Sequence, residues 1–125
     1  AGPTIIYFGL FNPKKGLNMY FCLSKVEFES KKSMEVLSSY SDTLAKEKGD
    51  ELGILMRYRV DISENTGIVV FIYENKKDFE KHYNESIKES IDMLKTQGHW
   101  IQLNHGDIKS FTVNNNKIKL DFIDQ

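Results

Sequence analysis

The chain of 125 residues has one cysteine, Cys22, which excludes an intrachain disulfide framework and any multi-cysteine metal site. It has 2 prolines and 8 glycines, too few for a collagen-like or low-complexity chain. It lacks an excess of either charge: 17 basic side chains stand against 18 acidic ones, a net charge of −1. A polybasic nucleic-acid arm or an acidic tail is therefore not its dominant feature. No apolar run is long enough to span a bilayer; the longest, Ile68 to Tyr73, has the length of a buried strand. The residues from Ala1 to Phe8 carry no basic region of the kind that opens a targeting peptide, so a cytoplasmic location is expected. No nucleophile elbow, phosphate-binding loop, dinucleotide fingerprint or zincin helix is present.

What remains is ordinary globular composition, 40% apolar and 28% charged, and a single domain over residues 1–125 is expected. Two helices are predicted. The first covers Lys31 to Lys48, with Met34, Leu37, Tyr40, Leu44 and Ala45 spaced by three and four, Ser30 as N-cap and Gly49 as C′ residue. The second covers Lys76 to Thr96, with Phe79, Tyr83, Ile87, Ile91 and Leu94 in one stripe and Gly98 as its stop. Lys81 with Glu85, and Lys88 with Asp92, are opposite charges four apart on its wet side.

Strands are predicted around these helices. Met19 to Phe28 places Tyr20, Cys22, Val26 and Phe28 on one face. In Leu55 to Asp61, Met56, Tyr58 and Val60 oppose Arg57, Arg59 and Asp61. Ser63 to Gly67 has turn composition and suggests a hairpin into Ile68 to Tyr73, which is apolar on both faces and so central. A short strand is expected at Phe111 to Val113, another at Ile118 to Phe122, and one at Thr4 to Phe11; His99 to Asp107 reads as a loop. The order strand, helix, strand, strand, helix, strand is the split βαβ order of a ferredoxin-like α+β sandwich, with extra terminal strands. Both helices then cover one face of an antiparallel sheet. The two-sided apolar strand requires a cover on the other face as well, and a second copy of the chain is the simplest one.

From Met19 to Val113 the pattern resembles the dimeric α/β-barrel superfamily, which holds the antibiotic-biosynthesis monooxygenases and related haem-degrading enzymes. The stretch that carries the resemblance is Gly67-Ile-Val-Val-Phe-Ile-Tyr-Glu-Asn-Lys-Lys-Asp-Phe-Glu-Lys-His82, similar to that family's central strand, short turn and aromatic helix start. The family often has Trp where Tyr73 stands here. The haem-degrading members have Asn on the first strand, Trp on the central strand and His on the second helix. This chain has Ser24 and Lys25, Tyr73, and Ile91 and Met93 in those places, which argues against haem degradation. The resemblance implies a homodimer and a pocket between helices and sheet for a flat hydrophobic molecule. It also implies oxygenase chemistry in which the substrate itself reacts with oxygen, with no metal or other cofactor.

On that reading Tyr73 and His82 are the candidate catalytic residues, and Tyr58, Phe71 and Trp100 the candidate ligand-binding ones. Each also has a plainer reading. His82, with Ser86 and Ser90 one and two turns on, is a general base, a hydrogen-bond donor at a pocket mouth, or a boundary histidine with its ring satisfied. Tyr73, Tyr58 and Tyr20 point a phenol into a pocket or pack. Arg57 and Arg59 form an anion clamp or a solvated face paired with Asp61. His99, His105 and Asp107 are acceptable metal ligands by type but not by spacing, and no metal is expected. Trp100, Ile101 and Leu103 pack the loop against the core or lid a pocket. Cys22 is a buried thiol. Two further classes remain: a non-catalytic dimer that binds a small apolar ligand, and an RNA binder. The second lacks a basic and aromatic central strand, and neither nucleic acid nor membrane is an expected partner.

Overall fold

A computed structural model describes residues 18–112. Its elements are β1 (Tyr20–Glu27), α1 (Lys31–Lys48), β2 (Ile54–Asp61), β3 (Thr66–Tyr73), α2 (Lys76–His82), a π turn (Tyr83–Ile87), α3 (Lys88–Thr96) and β4 (Trp100–Asp107). The four strands form one antiparallel sheet in the order β2-β3-β1-β4. This is the ferredoxin-like α+β arrangement expected from the sequence, with β3 and β1 internal. The described sheet is open, with β2 and β4 at its edges. The predicted strands at residues 4–11 and 118–122 lie outside the described residues.

The fourth strand is a correction. It runs from Trp100 to Asp107, where a loop was expected, and Phe111 and Thr112 belong to no strand. Ile101 and Leu103 alternate with exposed Gln102 and Asn104, which is a half-buried strand signal. Polar residues, two histidines and Gly106 disguise it as a loop composition.

Helix α1 starts on Ser30, whose side-chain oxygen accepts the Ser33 N–H at 3.0 Å. Gly49 caps its end, but at φ −54° it extends the helical turn instead of reversing the chain. Left-handed glycines stand at Gly53 and at Gly98, where φ is 87° just beyond α3. The second predicted helix has the expected bounds, Lys76 to Thr96, but carries a π turn at its centre. The apolar stripe explains why. Phe79, Tyr83, Ile87 and Ile91 are spaced by four throughout, wider than the roughly 3.6 residues of an α turn, so an unbroken α-helix would rotate the stripe off the sheet. A π turn absorbs the excess. On the wet side, among the described residues, neither Lys81–Glu85, which spans the π turn, nor Lys88–Asp92 within α3 forms an ion pair, while Lys76–Glu80 lies at 4.0 Å.

Antiparallel partners share a face of the sheet. Tyr20, Cys22, Ser24 and Val26 of β1 therefore share the helix-covered face with Tyr73, Phe71 and Val69 of β3, Arg57 and Arg59 of β2, and Leu103 and Ile101 of β4. A register shift between Ile54 and Met56 turns Ile54 to that face too. Two apolar clusters form there. One gathers Tyr20, Cys22, Tyr73, Phe79 and Ile87; the other gathers Val26, Phe28 and Met34. Cys22 is fully buried, as expected, and burial pushes its thiol up to about 12, so it is no nucleophile at neutral pH.

The opposite face carries Leu23, Met56, Tyr58, Val60, Ile68, Val70, Ile72 and Trp100, and none of the described helices covers it. Tyr58, Val60 and Trp100 are about half exposed there. Among the described residues no helix is long and apolar enough to cross a membrane.

Candidate functional site

Between the two apolar clusters, α1 stands off the sheet and leaves a cavity of about 170 Å³. Its floor is Ser24, Val26, Val69, Phe71 and Ile101, and its walls come from Leu37 to Ala45 on α1 and from His82 to Leu94 on the second helix. Small residues make the space. Ser38, Ser41 and Ala45 face Ser86 and Ser90 across it, where larger side chains would fill it. Most of the lining surface is apolar, interrupted by the serine hydroxyls and by the nitrogens of Arg57, Arg59 and His82.

Tyr73 and His82 meet at its edge. The Tyr73 hydroxyl lies 2.5 Å from His82 Nδ1, with both residues buried. Tyr73 has no exposed surface and its hydroxyl has no other partner, so its O–H donates and Nδ1 accepts. Burial, and next the nearby Cys22, raises the phenol far above its ordinary range, keeping the proton on oxygen. Burial lowers His82 to about 4, so the ring is neutral at physiological pH. A neutral imidazole that accepts at Nδ1 carries its proton on Nε2; the tautomer follows from this bond network. That Nε2 has no partner among the described residues, and it is not sealed away, since the one buried unpartnered side-chain polar atom among them is Arg57 Nε. His82 lines the cavity, so it offers an N–H donor there. Phe71 lies edge-on to the imidazole at 5.0 Å and holds its plane.

The second polar group comes from β2. Arg57 and Arg59 pass under α1, and both bind Asp42: Arg57 Nη2 at 2.8 Å from one oxygen, Arg59 Nε and Nη2 spread over both. Arg57 Nη2 also donates to the Ser41 hydroxyl at 3.0 Å. The hydrogen bond from Arg59, foremost among several causes, holds the Asp42 carboxyl below its usual range. Arg59 reaches Asp61 as well, at 2.6 Å. This corrects the picture of a solvated face: the arginines lie under a helix, and the acid they share is Asp42. Arg57 Nε remains buried and unpaired, a cost of about 1–3 kcal/mol where nothing else offsets it.

The structure thus brings Tyr73, His82 and Phe71 together and leaves out two of the residues grouped with them. Tyr58 and Trp100 do not line the cavity; strand alternation puts both on the opposite face, each 50% exposed. The three metal candidates do not gather: His105 and Asp107 share one end and one face of β4, and His99 precedes its other end. His99 sits before β4, where its Nδ1 accepts the Glu29 N–H at 3.0 Å. His105 is near the strand's far end, with Nδ1 2.6 Å from the Tyr20 hydroxyl and its ring stacked on Phe79 at 4.6 Å. Asp42 is the site residue that sequence reasoning did not select, because only the packing of α1 over β2 reveals its partners.

No family model and no curated protein matches the chain. Solved structures do. A dimeric ferredoxin-like protein from an uncultured marine organism aligns at 20% identity and a TM-score of 0.60, over 76% of this chain and 99% of that one. SnoaB, a cofactor-independent oxygenase from Streptomyces nogalater, aligns at 5% identity and a TM-score of 0.59, over 75% of this chain and 96% of that one. A Bacteroides thetaiotaomicron protein, proposed to be an antibiotic biosynthesis monooxygenase, aligns at 19% identity and a TM-score of 0.54, over 78% and 97%. At these identities the likeness is one of fold. The chain has the ferredoxin-like α+β fold, and its structural neighbours include dimeric ferredoxin-like proteins and antibiotic biosynthesis monooxygenase-type proteins.

Proposed function

We propose that this protein binds a small, largely apolar molecule in the cavity between helices and sheet, with His82 Nε2–H donating to an oxygen of that molecule. The observation that carries this reading is the buried Tyr73–His82 bond, which fixes the imidazole as a neutral donor beside a mostly apolar space. A cavity of about 170 Å³ suits a ligand of roughly one ring, since an apolar cavity of about 150 Å³ takes benzene. In its sharper form the reading is a cofactor-independent monooxygenase. There a substrate that has left its proton to solvent would enter as the enolate or phenolate, and the hydrogen bond from His82 Nε2–H to its oxyanion would offset the cost of desolvating that charge while the substrate itself reacts with oxygen. The fold shared with SnoaB supports this form.

One observation favours the second reading, a binding module without chemistry. In its neutral tautomer His82 presents a proton at Nε2 and no free lone pair to the cavity, so it is a donor and not a base. The apolar part of the opposite face around Met56, Val60 and Ile68 would receive a second copy of the chain, and the half-exposed Tyr58 and Trp100 belong to that contact on this account.

The test begins with native mass spectrometry of freshly purified protein and proceeds to oxygen uptake with phenols and enolisable diketones. The expected result is a species of twice the chain mass carrying a small molecule, and uptake that falls about 100-fold or more in His82→Ala with the dimer intact. A ligand with no uptake for any substrate selects the binding module. A bare species that takes up neither ligand nor oxygen contradicts the proposal.

A further inference from the structure

The lining of the cavity is unbalanced in charge. Among the described residues it contains Arg57, Arg59 and His82 and no aspartate or glutamate. The acid nearest to hand, Asp42, is shared: Arg59 takes both of its oxygens, and Arg57 takes one of them through a single nitrogen. Arg59 has Asp61 besides. Arg57 has only its part of Asp42 and the neutral Ser41 hydroxyl, although its side chain is 14% exposed. Its Nε is buried without a partner, and Nη1 makes no bond. A guanidinium carries five N–H donors in a planar fork suited to a carboxylate, and burying it half-satisfied is costly. The guanidinium lies 5.9 Å from the centre of the Phe71 ring, and the His82 ring meets Phe71 at 5.0 Å. Arg57 and His82 thus both approach one aromatic ring on the cavity floor.

We propose that the natural ligand is an apolar anion, a carboxylate or stabilised enolate, with a charged oxygen accepting from Arg57 Nη1, the nitrogen of that guanidinium that is neither bonded nor sealed, and with His82 Nε2–H free to bond an oxygen elsewhere on the molecule. This deepens the reading above and rests on it. Arg57 would set specificity by charge, since an anionic oxygen gains more from a guanidinium N–H than a neutral carbonyl does.

The probes are benzoate and benzamide, matched in shape and different in charge, titrated into the isotope-labelled full chain and followed by NMR. Benzoate is expected to bind about 10-fold or more tightly than benzamide, to shift the Arg57 Nε–H resonance, and to lose its advantage in Arg57→Gln. Arg57→Lys, which keeps the charge and removes the fork, should retain part of it. The contrast between the two probes is read on the unmodified protein and does not depend on either variant folding. Equal binding of the two overturns the anion and leaves the cavity reading intact. Binding of neither overturns both. A benzoate preference that both variants retain puts the anion elsewhere and overturns the role of Arg57.

Discussion

The two faces of this sheet are built from alternate residues of the same strands, yet they do different things. On β2, Arg57 and Arg59 turn under α1 and meet Asp42, while Met56, Tyr58 and Val60 turn the other way. On β3, Phe71 faces the cavity and Tyr73 bonds its histidine, while Ile68 and the buried Val70 and Ile72 turn to the opposite face. The helix-covered face interrupts its apolar packing with groups whose hydrogen bonding is unfinished, His82 Nε2 and Arg57 Nε. The other face gathers large aliphatic and aromatic side chains on β2 and β3, with Lys25, Glu27, Gln102 and Asn104 towards the β4 side. Unfinished donors beside a cavity are what a ligand site requires, and a broad apolar face is what a subunit contact requires.

Substitutions on the two faces should therefore separate stability from assembly. Phe79→Ala should have the largest effect. Phe79 is 4% exposed and packs on Tyr20, Tyr73 and His105, so its loss should cost about 3–5 kcal/mol in denaturant unfolding. A cost below about 1 kcal/mol would show that the cluster is not the core of the helix-covered face.

Next comes the pH dependence of His82. Its folded value of about 4 lies below the ordinary 6.5, so between these limits the unfolded chain binds a proton that the folded chain refuses. Stability should rise with pH across that window, by up to about 1.4 kcal/mol per pH unit, and this contribution should be flat above it. Replacing His82 by Gln should remove the slope, which paired urea titrations at pH 5 and 7 would measure. A slope unchanged in His82→Gln assigns it to other groups.

Smaller still is Tyr73→Phe, which leaves Nδ1 buried without its donor and should cost about 1–3 kcal/mol. Smallest on the stability scale is Val60→Lys. Val60 is 46% exposed on the open face, so the monomer should change by no more than about 0.5 kcal/mol, while sedimentation should show the dimer dissociating. A Val60→Lys protein that remains dimeric would move the subunit contact off this face.

Much of this was readable in the sequence where one local signal sufficed. The bounds of α1 follow from Ser30 and a stripe spaced by three and four, and β3 follows from an apolar run behind a turn. The π turn was also written there, in three successive intervals of four from Phe79 to Ile91, but it takes a count of intervals and not a list of apolar residues to see it. β4 was misread because half of its residues are polar, as an edge strand with a wet face allows. Tyr73 and His82 are chosen as candidates from the resemblance carried by Gly67 to His82, and their bond to each other is not foreseen there. Arg57 and Asp42 could not be paired, because their contact depends on how far α1 stands from the sheet, and no local pattern encodes that distance.

The most direct test of the account is the tautomer of His82, read from the ring-nitrogen shifts and proton couplings of the isotope-labelled protein across pH. The account predicts a neutral ring protonated at Nε2 that stays neutral down to about pH 4, with that N–H shifting when benzoate fills the cavity. A ring protonated at Nδ1, or one that titrates near its ordinary 6.5, would contradict it, since His82 would then not be the fixed neutral donor on which the cavity's chemistry rests.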